Sequence, residues 1–399
     1  MSKILSNNSR IKIRTVLLIT ISWIIVGIIH IYYNHIIKLS QEAFEFNDYD
    51  LETALLTNTV ALFVAGIGGG SIIIFFLKDR LRKQPLGLVI LVNMASFLVL
   101  IAVVSTLGFL FYYYILIGKS YFDGDLWFNL GQFLTSYVFL LNLFFWTVVA
   151  TFTIVILQVN DKYGRGVLID TLMGKYHNSI IEDRIFMFLD LKSSTTIAEQ
   201  LGHKKYFKLL NRFFEDVTKA VVECRGDIYQ YVGDEVVITW TMEAGLDQAN
   251  CIKCFFDIEN IISRHAHKYM EKYRVTPTFK AAVHGGEVTT GEVGTFKKDI
   301  IFTGDVLNTT ARIESKCNDY DAKLLISEAL VSRMPDGHHY SFDEIGDVQL
   351  KGKSNPVKVY RVSNTFIGED RAAQDFYNDH ARPADKDETL AQKQMNNPS

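Results

Sequence analysis

The distribution of apolar residues divides this chain into two unlike parts. Four long apolar stretches occupy the first part, at about 13–34, 54–77, 86–116 and 132–158. Each reaches the roughly 20 residues that a helix needs to cross the hydrocarbon core of a bilayer. Apolar and polar positions alternate in shorter runs after them. The pattern therefore predicts four transmembrane helices within residues 1–158, a linker at 159–181 and a folded domain at 182–365.

Charges between the apolar stretches predict the orientation of the helices. The N-terminal segment and the second connection are basic, with Lys3, Arg10, Lys12, Arg14, Lys78, Arg80, Arg82 and Lys83. The other two connections are mainly acidic, with Glu42, Glu45, Asp48, Asp50, Glu52, Asp123 and Asp125. Basic connections usually stay on the cytoplasmic side of a membrane. We therefore expect a multi-pass protein of the inner (plasma) membrane with both termini in the cytoplasm.

Strand and helix patterns alternate in the second part of the chain. The predicted strands are 184–190, 226–232, 235–241, 277–284, 286–293, 298–303, 322–326, 339–343 and 357–363. The predicted helices are 167–177, 192–201, 203–223 and 245–272. The order β-α-β-β-α-β is typical of an α+β fold with a ferredoxin-like sheet. The polar composition of residues 366–399 predicts a disordered tail.

Two aspartates at predicted strand ends are candidate metal ligands. Asp190 ends the apolar run 185–189, and Asp234 follows Gly233 in a hairpin turn. A carboxylate at the tip of a buried strand needs a counter-charge, and a divalent cation supplies it where two such tips converge. The alternative is structural: Asp190 could cap a helix, and Gly-Asp could be only a turn.

A second pair of polar residues lies downstream. Asn308 and Arg312 are four residues apart, so a helix beginning near Gly304 presents both on one face. Two carboxylates, an amide and a guanidinium together are suited to phosphoryl transfer.

Composition and local context disfavour three other functions: nucleic-acid binding, a metal or redox site at the CxxC, and a phosphate-binding loop. The net charge of -3 does not favour a nucleic-acid-binding protein. Cys251 and Cys254 form a CxxC within a helical pattern but lack a second pair, so buried free thiols are the favoured interpretation. The glycines of 66–70 lie inside the second apolar stretch, where they favour close helix packing rather than a phosphate-binding loop.

Four motifs in this order resemble those of the class III nucleotidyl cyclases, in particular the membrane-anchored bacterial members. The motifs occupy 188–194, 232–235, 304–312 and 350–353, and the resemblance covers about 182–363. It implies a ferredoxin-like cyclase domain that converts ATP to 3′,5′-cyclic AMP and pyrophosphate.

The resemblance also implies roles for individual residues. Asp190, Asp234 and the Leu191 carbonyl would hold two Mg²⁺ or Mn²⁺ ions per active site. Arg312 would offset charge on the α-phosphate, and Asn308 would orient the ribose. The terminal phosphates would be held by Lys351 or Lys353, and the sequence leaves this choice open.

The position expected to contact the purine departs from the family pattern. Adenylate cyclases of this class carry a lysine where this chain has Gln230, and an Asp or Thr where it has Ile301. A glutamine amide can pair with either purine, so guanylate cyclase activity is an alternative. A second alternative is a membrane receptor with a degenerate domain that only binds nucleotide. We expect ATP, because most bacterial members of the family make cyclic AMP.

The number of cyclase domains predicts the assembly. In this family the metal aspartates and the Asn-Arg pair of one site come from two different domains. This chain carries one copy with both sets, so the resemblance implies a head-to-tail homodimer with two equivalent sites.

Overall fold

The computed structural model describes most of the chain. The described residues are 6–41, 51–81, 84–117, 124–163, 170–171, 173–296, 298–337, 339–351, 353 and 355–364. The chain forms two compact units, Met1–Ile169 and Asp170–Ser399.

Nearly all described residues of the first unit are helical. Its main helices are α1 (Asn7–Gln41), α2 (Leu51–Ser71), α3 (Lys78–Leu81), α4 (Leu86–Ile117), α5 (Gly124–Thr135) and α6 (Tyr137–Tyr163). A π-helical turn, Ile72–Leu77, joins α2 to α3. Four helical segments are long and apolar enough to cross a membrane: Asn7–Ile36, Leu55–Leu77, Gly87–Phe111 and Phe139–Asn160. The predicted number of spans is confirmed on length and composition, whereas most of the two remaining connections, residues 42–50 and 118–123, lie outside the described residues.

The glycine-rich segment of α2 packs closely on α1. A Cβ atom placed on Gly66 would lie 2.8 Å from the Cα atom of Thr20, so no larger residue fits there. The prediction that these glycines serve helix packing is therefore confirmed for Gly66, Gly69 and Gly70, whereas a Cβ atom on Gly68 would meet nothing within 4 Å.

Side-chain contacts join α1 to α6. Trp23 Nε1 donates a hydrogen bond to Thr153 Oγ1 at 3.1 Å, and the rings of His30 and Phe145 stack with centroids 4.0 Å apart.

The second unit contains one mixed sheet. Its strands are β1 (Ile180–Leu191), β2 (Asp227–Val232), β3 (Glu235–Thr241), β4 (Phe279–Val293), β5 (Asp299–Thr303), β6 (Leu324–Ser327), β7 (Tyr340–Val348) and β8 (Val357–Asn364). The strand order is β2-β3-β1-β4-β6-β8-β7, and β5 pairs with β4. Strands β1 and β4 are antiparallel, while β4 and β6 are parallel. Strand β1 thus lies inside the sheet between β3 and β4.

Helices cover both faces of this sheet. They are α7 (Ser194–Leu201), α8 (His203–Glu223), α9 (Met242–Leu246), α10 (Asn250–Arg264), α11 (Ala266–Tyr273), α12 (Asp305–Ser315) and α13 (Glu328–Val331). Alternate residues of β1 enter different cores, because successive side chains of a strand point to opposite faces. Met187 packs in the core that includes α8 and α10, whereas Phe186 packs with Val306 of α12. This two-sided burial explains the continuous apolar run before Asp190 and confirms the α+β prediction.

Three predicted elements differ from the structure. The two strands expected on either side of Gly285 and Gly286 are one strand, β4, since both glycines are extended and pair with β1. Their lack of side chains makes room for Met242 and Val306 instead of forming a turn. The helix predicted over 245–272 is interrupted, because Gln248 and Ala249 have left-handed backbone conformations and a further break falls at His265.

The third difference concerns the segment before β1. A helix was predicted over 167–177, but residues 173–177 form turns. The backbone N–H of Lys175 donates to the carbonyl of Asp170 at 2.9 Å, and the carbonyl of Tyr176 accepts from the N–H of Glu292 at 3.0 Å. The second of these bonds joins the segment to β4, which contains Glu292. Residues 170 and 171 are helical as predicted, and the other residues of this prediction, 167–169 and 172, lie outside the described residues.

A buried carboxylate ties α8 to the end of α10 and to α11. The side chain of Asp216 is fully buried and accepts hydrogen bonds from Lys219 at 2.8 Å and from Tyr269 at 2.9 Å, while His265 Nδ1 lies 2.9 Å away. Burial by itself would raise the pKa of Asp216, but these hydrogen bonds outweigh it and hold the pKa below its ordinary value. The charged form is therefore the one that stabilises the fold.

We expect Asp216→Asn to lower the free energy of unfolding of this unit by about 3 kcal/mol, because it removes one partner of a buried charged network. The loss should be complete above about pH 4 and should shrink at lower pH, since a carboxyl with a depressed pKa stabilises only while ionised. Thermal unfolding of the full chain in detergent measures it. Asp319→Asn, which disturbs only a surface ion pair with Lys316, is the control. Equal unfolding temperatures for the two variants would contradict the prediction.

Candidate active site

The two predicted metal aspartates lie together. Asp190 is the penultimate residue of β1, and Asp234 lies in the turn between β2 and β3. Strand β3 pairs with β1, which brings this turn beside the end of β1. Burial raises the pKa of Asp190, and the negative charge of Asp234 and a hydrogen bond between the two side chains raise it further. The sheet therefore holds two carboxyl groups in mutual repulsion.

This arrangement suits a magnesium-type cation. Two adjacent carboxylates supply hard oxygen ligands, and a divalent cation would relieve the repulsion between them. No group of three or more His, Cys, Asp or Glu side chains with metal-binding geometry is found among the described residues. Mg²⁺ is commonly held by one or two carboxylates together with substrate phosphates, so two protein carboxylates are a sufficient set. Leu191, whose carbonyl was the third predicted ligand, follows Asp190 and is buried at the end of β1.

Three further charged residues surround the aspartates, and sequence reasoning missed them. Lys280 is the register partner of Asp190 on β4, and its Nζ lies 3.8 Å from Asp190 Oδ2 and 3.0 Å from Glu314 Oε1. Burial raises the pKa of Glu235 to about 7, and the charges of Glu314, Asp190 and Asp234 contribute to the shift. A lysine within the buried strand 279–283 is the sequence signal that could have revealed this cluster.

Helix α12 presents Asn308 and Arg312 away from the sheet. Its inner face is buried through Val306, Thr310 and Ile313, whereas Asn308 is exposed and Arg312 is half-buried. Among the described residues, the Arg312 side chain has no hydrogen bond or ion pair. No described contact joins either residue to the two aspartates. A single chain therefore brings together Asp190 with Asp234, but not the aspartates with the Asn-Arg pair.

The two lysines of the last motif have different surroundings. Lys353 Nζ lies 2.7 Å from Asp305 Oδ2, at the first residue of α12. A hydrogen bond from Lys353 is the main reason that the pKa of Asp305 lies below its ordinary value. Lys351 is exposed. The structure thus places Lys353 against the beginning of the helix that carries Asn308.

The two predicted base-contacting residues lie on β2 and β5, which are not paired with each other in the sheet. Gln230 is exposed on β2, directly after an irregularity in its pairing with β3, and Ile301 is half-buried on β5. The residues beside them are in contact, since the Phe302 N–H donates to the Tyr229 hydroxyl at 3.3 Å. Thr303, the nearest hydroxyl to Ile301 along β5, donates to the Thr289 carbonyl at 3.3 Å.

Other residues with candidate chemistry serve the fold. All four cysteines are free and buried, which confirms the sequence interpretation. His284 is buried with Nδ1 2.7 Å from Ser327 Oγ. Burial lowers the pKa of His284 to about 4, with a smaller effect from Lys353, so its ring is neutral near pH 7.

Comparison with known proteins agrees with this architecture. Residues 179–364 match the family model of the adenylate and guanylate cyclase catalytic domain. This part of the chain is therefore a class III nucleotidyl cyclase domain, which the apolar helices of the first unit precede.

Particular relatives can be named for this domain. Adenylate cyclase 2 of Rhizobium meliloti (strain 1021) is 34% identical over 221 residues, which cover 55% of this chain and 61% of that protein. Adenylate cyclase 1 of the same organism is 26% identical over 182 residues, covering 44% and 27%. The chain thus spans less than two thirds of either relative. The solved structure of the adenylyl cyclase CyaB from P. aeruginosa is 20% identical, covers 47% of this chain and 96% of that one, and has a TM-score of 0.42.

The raised pKa of Glu235 predicts a pH-dependent stability. A carboxyl group whose pKa rises from 4.5 to about 7 on folding binds its proton more tightly in the folded protein than in the unfolded chain. It therefore stabilises the folded protein at low pH, and this stabilisation is lost as the pH rises from about 4.5 to about 7. Without divalent cations, the unfolding temperature of the unchanged protein should fall by a few degrees between about pH 5 and pH 8, relative to that of Glu235→Gln. Thermal unfolding at both pH values tests this. Identical pH profiles for the two proteins would show that Glu235 carries no such penalty.

Proposed function

We propose that this protein is a membrane-anchored adenylate cyclase, which converts ATP to 3′,5′-cyclic AMP and pyrophosphate. The observation that carries the proposal is the convergence of Asp190 and Asp234 at one edge of a cyclase-type sheet. The named adenylate cyclases among its relatives support the choice of ATP. In the proposed reaction a bond forms between the ribose 3′-oxygen and the α-phosphorus, the bond to the β-phosphate oxygen breaks, and the hydroxyl proton is released.

The residues of the chain have separate tasks in this proposal. Asp190, Asp234 and the Leu191 carbonyl would hold two Mg²⁺ or Mn²⁺ ions. Those ions, when bound, would make the 3′-hydroxyl more acidic and offset the negative charge of the phosphates. Arg312 offsets the charge that develops on the α-phosphate, and Asn308 orients the ribose. Charge-stabilising groups of this kind typically contribute about two to three orders of magnitude in rate.

Different environments of the two lysines suggest how the triphosphate is held. Lys353 is already paired with Asp305 at 2.7 Å, whereas Lys351 is exposed. We propose that Lys351 binds the terminal phosphates. Lys353 would instead fix its part of the chain beside α12 through the ion pair with Asp305.

Recognition of the base depends on Gln230 in this proposal. The glutamine amide can donate and accept, while Ile301 offers no hydrogen bond to a purine. A site with one adaptable amide discriminates weakly between purines, because neither base leaves a buried polar group of the site unpaired. GTP is therefore the second candidate substrate.

The active site is proposed to form between two chains. Arg312 has no partner among the described residues of its own chain and makes no described contact with Asp190 or Asp234. A head-to-tail homodimer would place the Asn-Arg pair of one chain opposite the aspartates of the other, giving two equivalent sites. The apolar helices would anchor this dimer in the plasma membrane, with both termini in the cytoplasm.

Product formation by the purified full-length protein tests the reaction. We expect cyclic AMP from ATP with Mn²⁺, a smaller kcat/KM for GTP, and a loss of about two orders of magnitude or more in Asp234→Ala. Preference for GTP would change the base assignment and keep the reaction. Binding of both nucleotides without product from either would favour the alternative of a degenerate nucleotide-binding receptor domain.

Mixing two inactive variants tests the shared site. Asp190→Ala and Arg312→Ala should each be inactive alone, while their mixture should recover up to about a quarter of the unchanged activity. This fraction follows because half of the randomly formed dimers are mixed and each has one intact site. Size-exclusion chromatography of differently tagged chains confirms that they assemble. Assembly without recovered activity would refute the two-chain site.

A further inference from the structure

One residue of β2 is left without a register partner on β3. Ile228 lies opposite Ile238, whereas the next paired residue, Gln230, lies opposite Val237. Tyr229 is therefore the inserted residue of a β-bulge. Bulges are common beside functional sites, because the extra residue re-aims the side chains around it.

The ring of Tyr229 packs in the same apolar cluster as α12. It lies edge-on to Phe302 of β5, with ring centroids 5.0 Å apart, and to Phe186 of β1, with centroids 6.4 Å apart. Leu307 of α12 packs against the same cluster and directly precedes Asn308. The cluster thus joins the bulge of β2 to the helix that carries the residue proposed to orient the ribose.

The hydroxyl group of Tyr229 adds a polar contact with β5. It accepts a hydrogen bond from the backbone N–H of Phe302 at 3.3 Å. Strands β2 and β5 are not paired, since β3, β1 and β4 lie between them in the sheet. The bond therefore joins two strands that the backbone ladder leaves apart. Each carries a proposed base-contacting residue next to the bond: Gln230 follows Tyr229, and Ile301 precedes Phe302.

We propose that Tyr229 is a positioning residue for the purine, because its bond to Phe302 fixes the distance between Gln230 and β5. This inference rests on the proposed function, in which Gln230 contacts the base. Ile301 offers the purine no hydrogen bond, so the base is held by one amide beside an apolar side chain. The separation of the two strands then decides whether that amide reaches the base.

The position of Gln230 needs such support from outside β2. A hydrogen bond tolerates only a few tenths of an ångström in distance, so an amide that reads a base has to be held in place. Strand β2 is the last strand of the sheet and pairs on one side only, and the bulge interrupts that pairing directly before Gln230. The Tyr229 hydroxyl supplies a second attachment at this point.

Nucleotide binding without turnover gives the first test. The probe is 3′-deoxy-ATP with Mn²⁺, because it lacks the attacking hydroxyl. Tyr229→Phe keeps the ring and removes the acceptor, so we expect the Kd of 3′-deoxy-ATP to rise about fivefold. Inorganic tripolyphosphate has no base and should bind equally to both proteins. Isothermal titration calorimetry of the full-length protein in detergent measures both values.

A second tyrosine of β2 supplies the matched control. The ring of Tyr231 is exposed and lies against Phe214, so Tyr231→Phe should leave the binding of both probes unchanged. A merely structural role of Tyr229 would weaken tripolyphosphate as much as 3′-deoxy-ATP, and that result would overturn the inference. Unchanged binding of 3′-deoxy-ATP by Tyr229→Phe would overturn it as well. In turnover we expect a higher KM for ATP at nearly constant kcat.

A double-mutant cycle tests whether Tyr229 acts through Gln230. Gln230→Ala alone should weaken 3′-deoxy-ATP by about fivefold, since it removes the proposed base contact. Adding Tyr229→Phe to Gln230→Ala should then cost less than about twofold more, because effects that share one contact are not additive. A further loss of the full fivefold would show that Tyr229 acts independently of Gln230 and would refute the positioning role.

The cycle also separates this inference from the proposed function. A protein that forms no cyclic nucleotide, yet gives the expected cycle, loses the proposed reaction and keeps the positioning role. Cyclic AMP formation together with weaker binding in Gln230→Ala, but not in Tyr229→Phe, refutes the positioning role alone. Unchanged binding in Gln230→Ala contradicts both the base contact and the role of Tyr229.

Discussion

The cyclase unit has to withstand the repulsion between carboxylates that lie together at one end of its central strands. Asp190 and Asp234 are held together by the pairing of β1 with β3, and Glu235 and Glu314 add to the negative charge. Folding thus brings together acidic groups that would stay apart in the unfolded chain. Part of the cost is offset by Lys280, and part by protons, as the raised pKa values of Asp190 and Glu235 indicate. The remaining repulsion would favour the bound divalent cation of the proposed function.

Apolar packing maintains this unfavourable arrangement. Strand β1 is buried on both faces, with Met187 in the core that includes α8 and α10 and Phe186 in the core with α12. A strand fixed on both sides cannot withdraw Asp190 from Asp234 without opening one of these cores. Active sites commonly retain local strain because the surrounding fold determines the backbone positions. The long apolar run before Asp190 therefore fixes the position of this carboxyl group.

The sequence predicts those parts of the site that lie on single elements. Asp190 at a strand end, Asp234 in a hairpin turn, and Asn308 with Arg312 on one helix face each follow from local patterns, and the structure places them so. The contacts of Lys280 could not be predicted, because they depend on the register of β1 with β4 and on where α12 crosses the sheet. The Gly285-Gly286 pair misled for a similar reason. Two adjacent glycines are locally typical of a turn, whereas Gly285 and Gly286 lie in a strand and leave room for side chains from other elements.

The two faces of α12 explain why one chain is proposed to contribute to two sites. Its inner face is fixed by Val306, Thr310 and Ile313, so the helix cannot rotate to bring Arg312 toward the aspartates of its own chain. A half-buried guanidinium without a described partner can satisfy its hydrogen-bonding capacity through solvent or through a group from outside the chain. Glu314, on the same helix, reaches the metal edge through Lys280. The helix therefore contacts the charged cluster of its own chain through Glu314, while Asn308 and Arg312 lie outside its buried face.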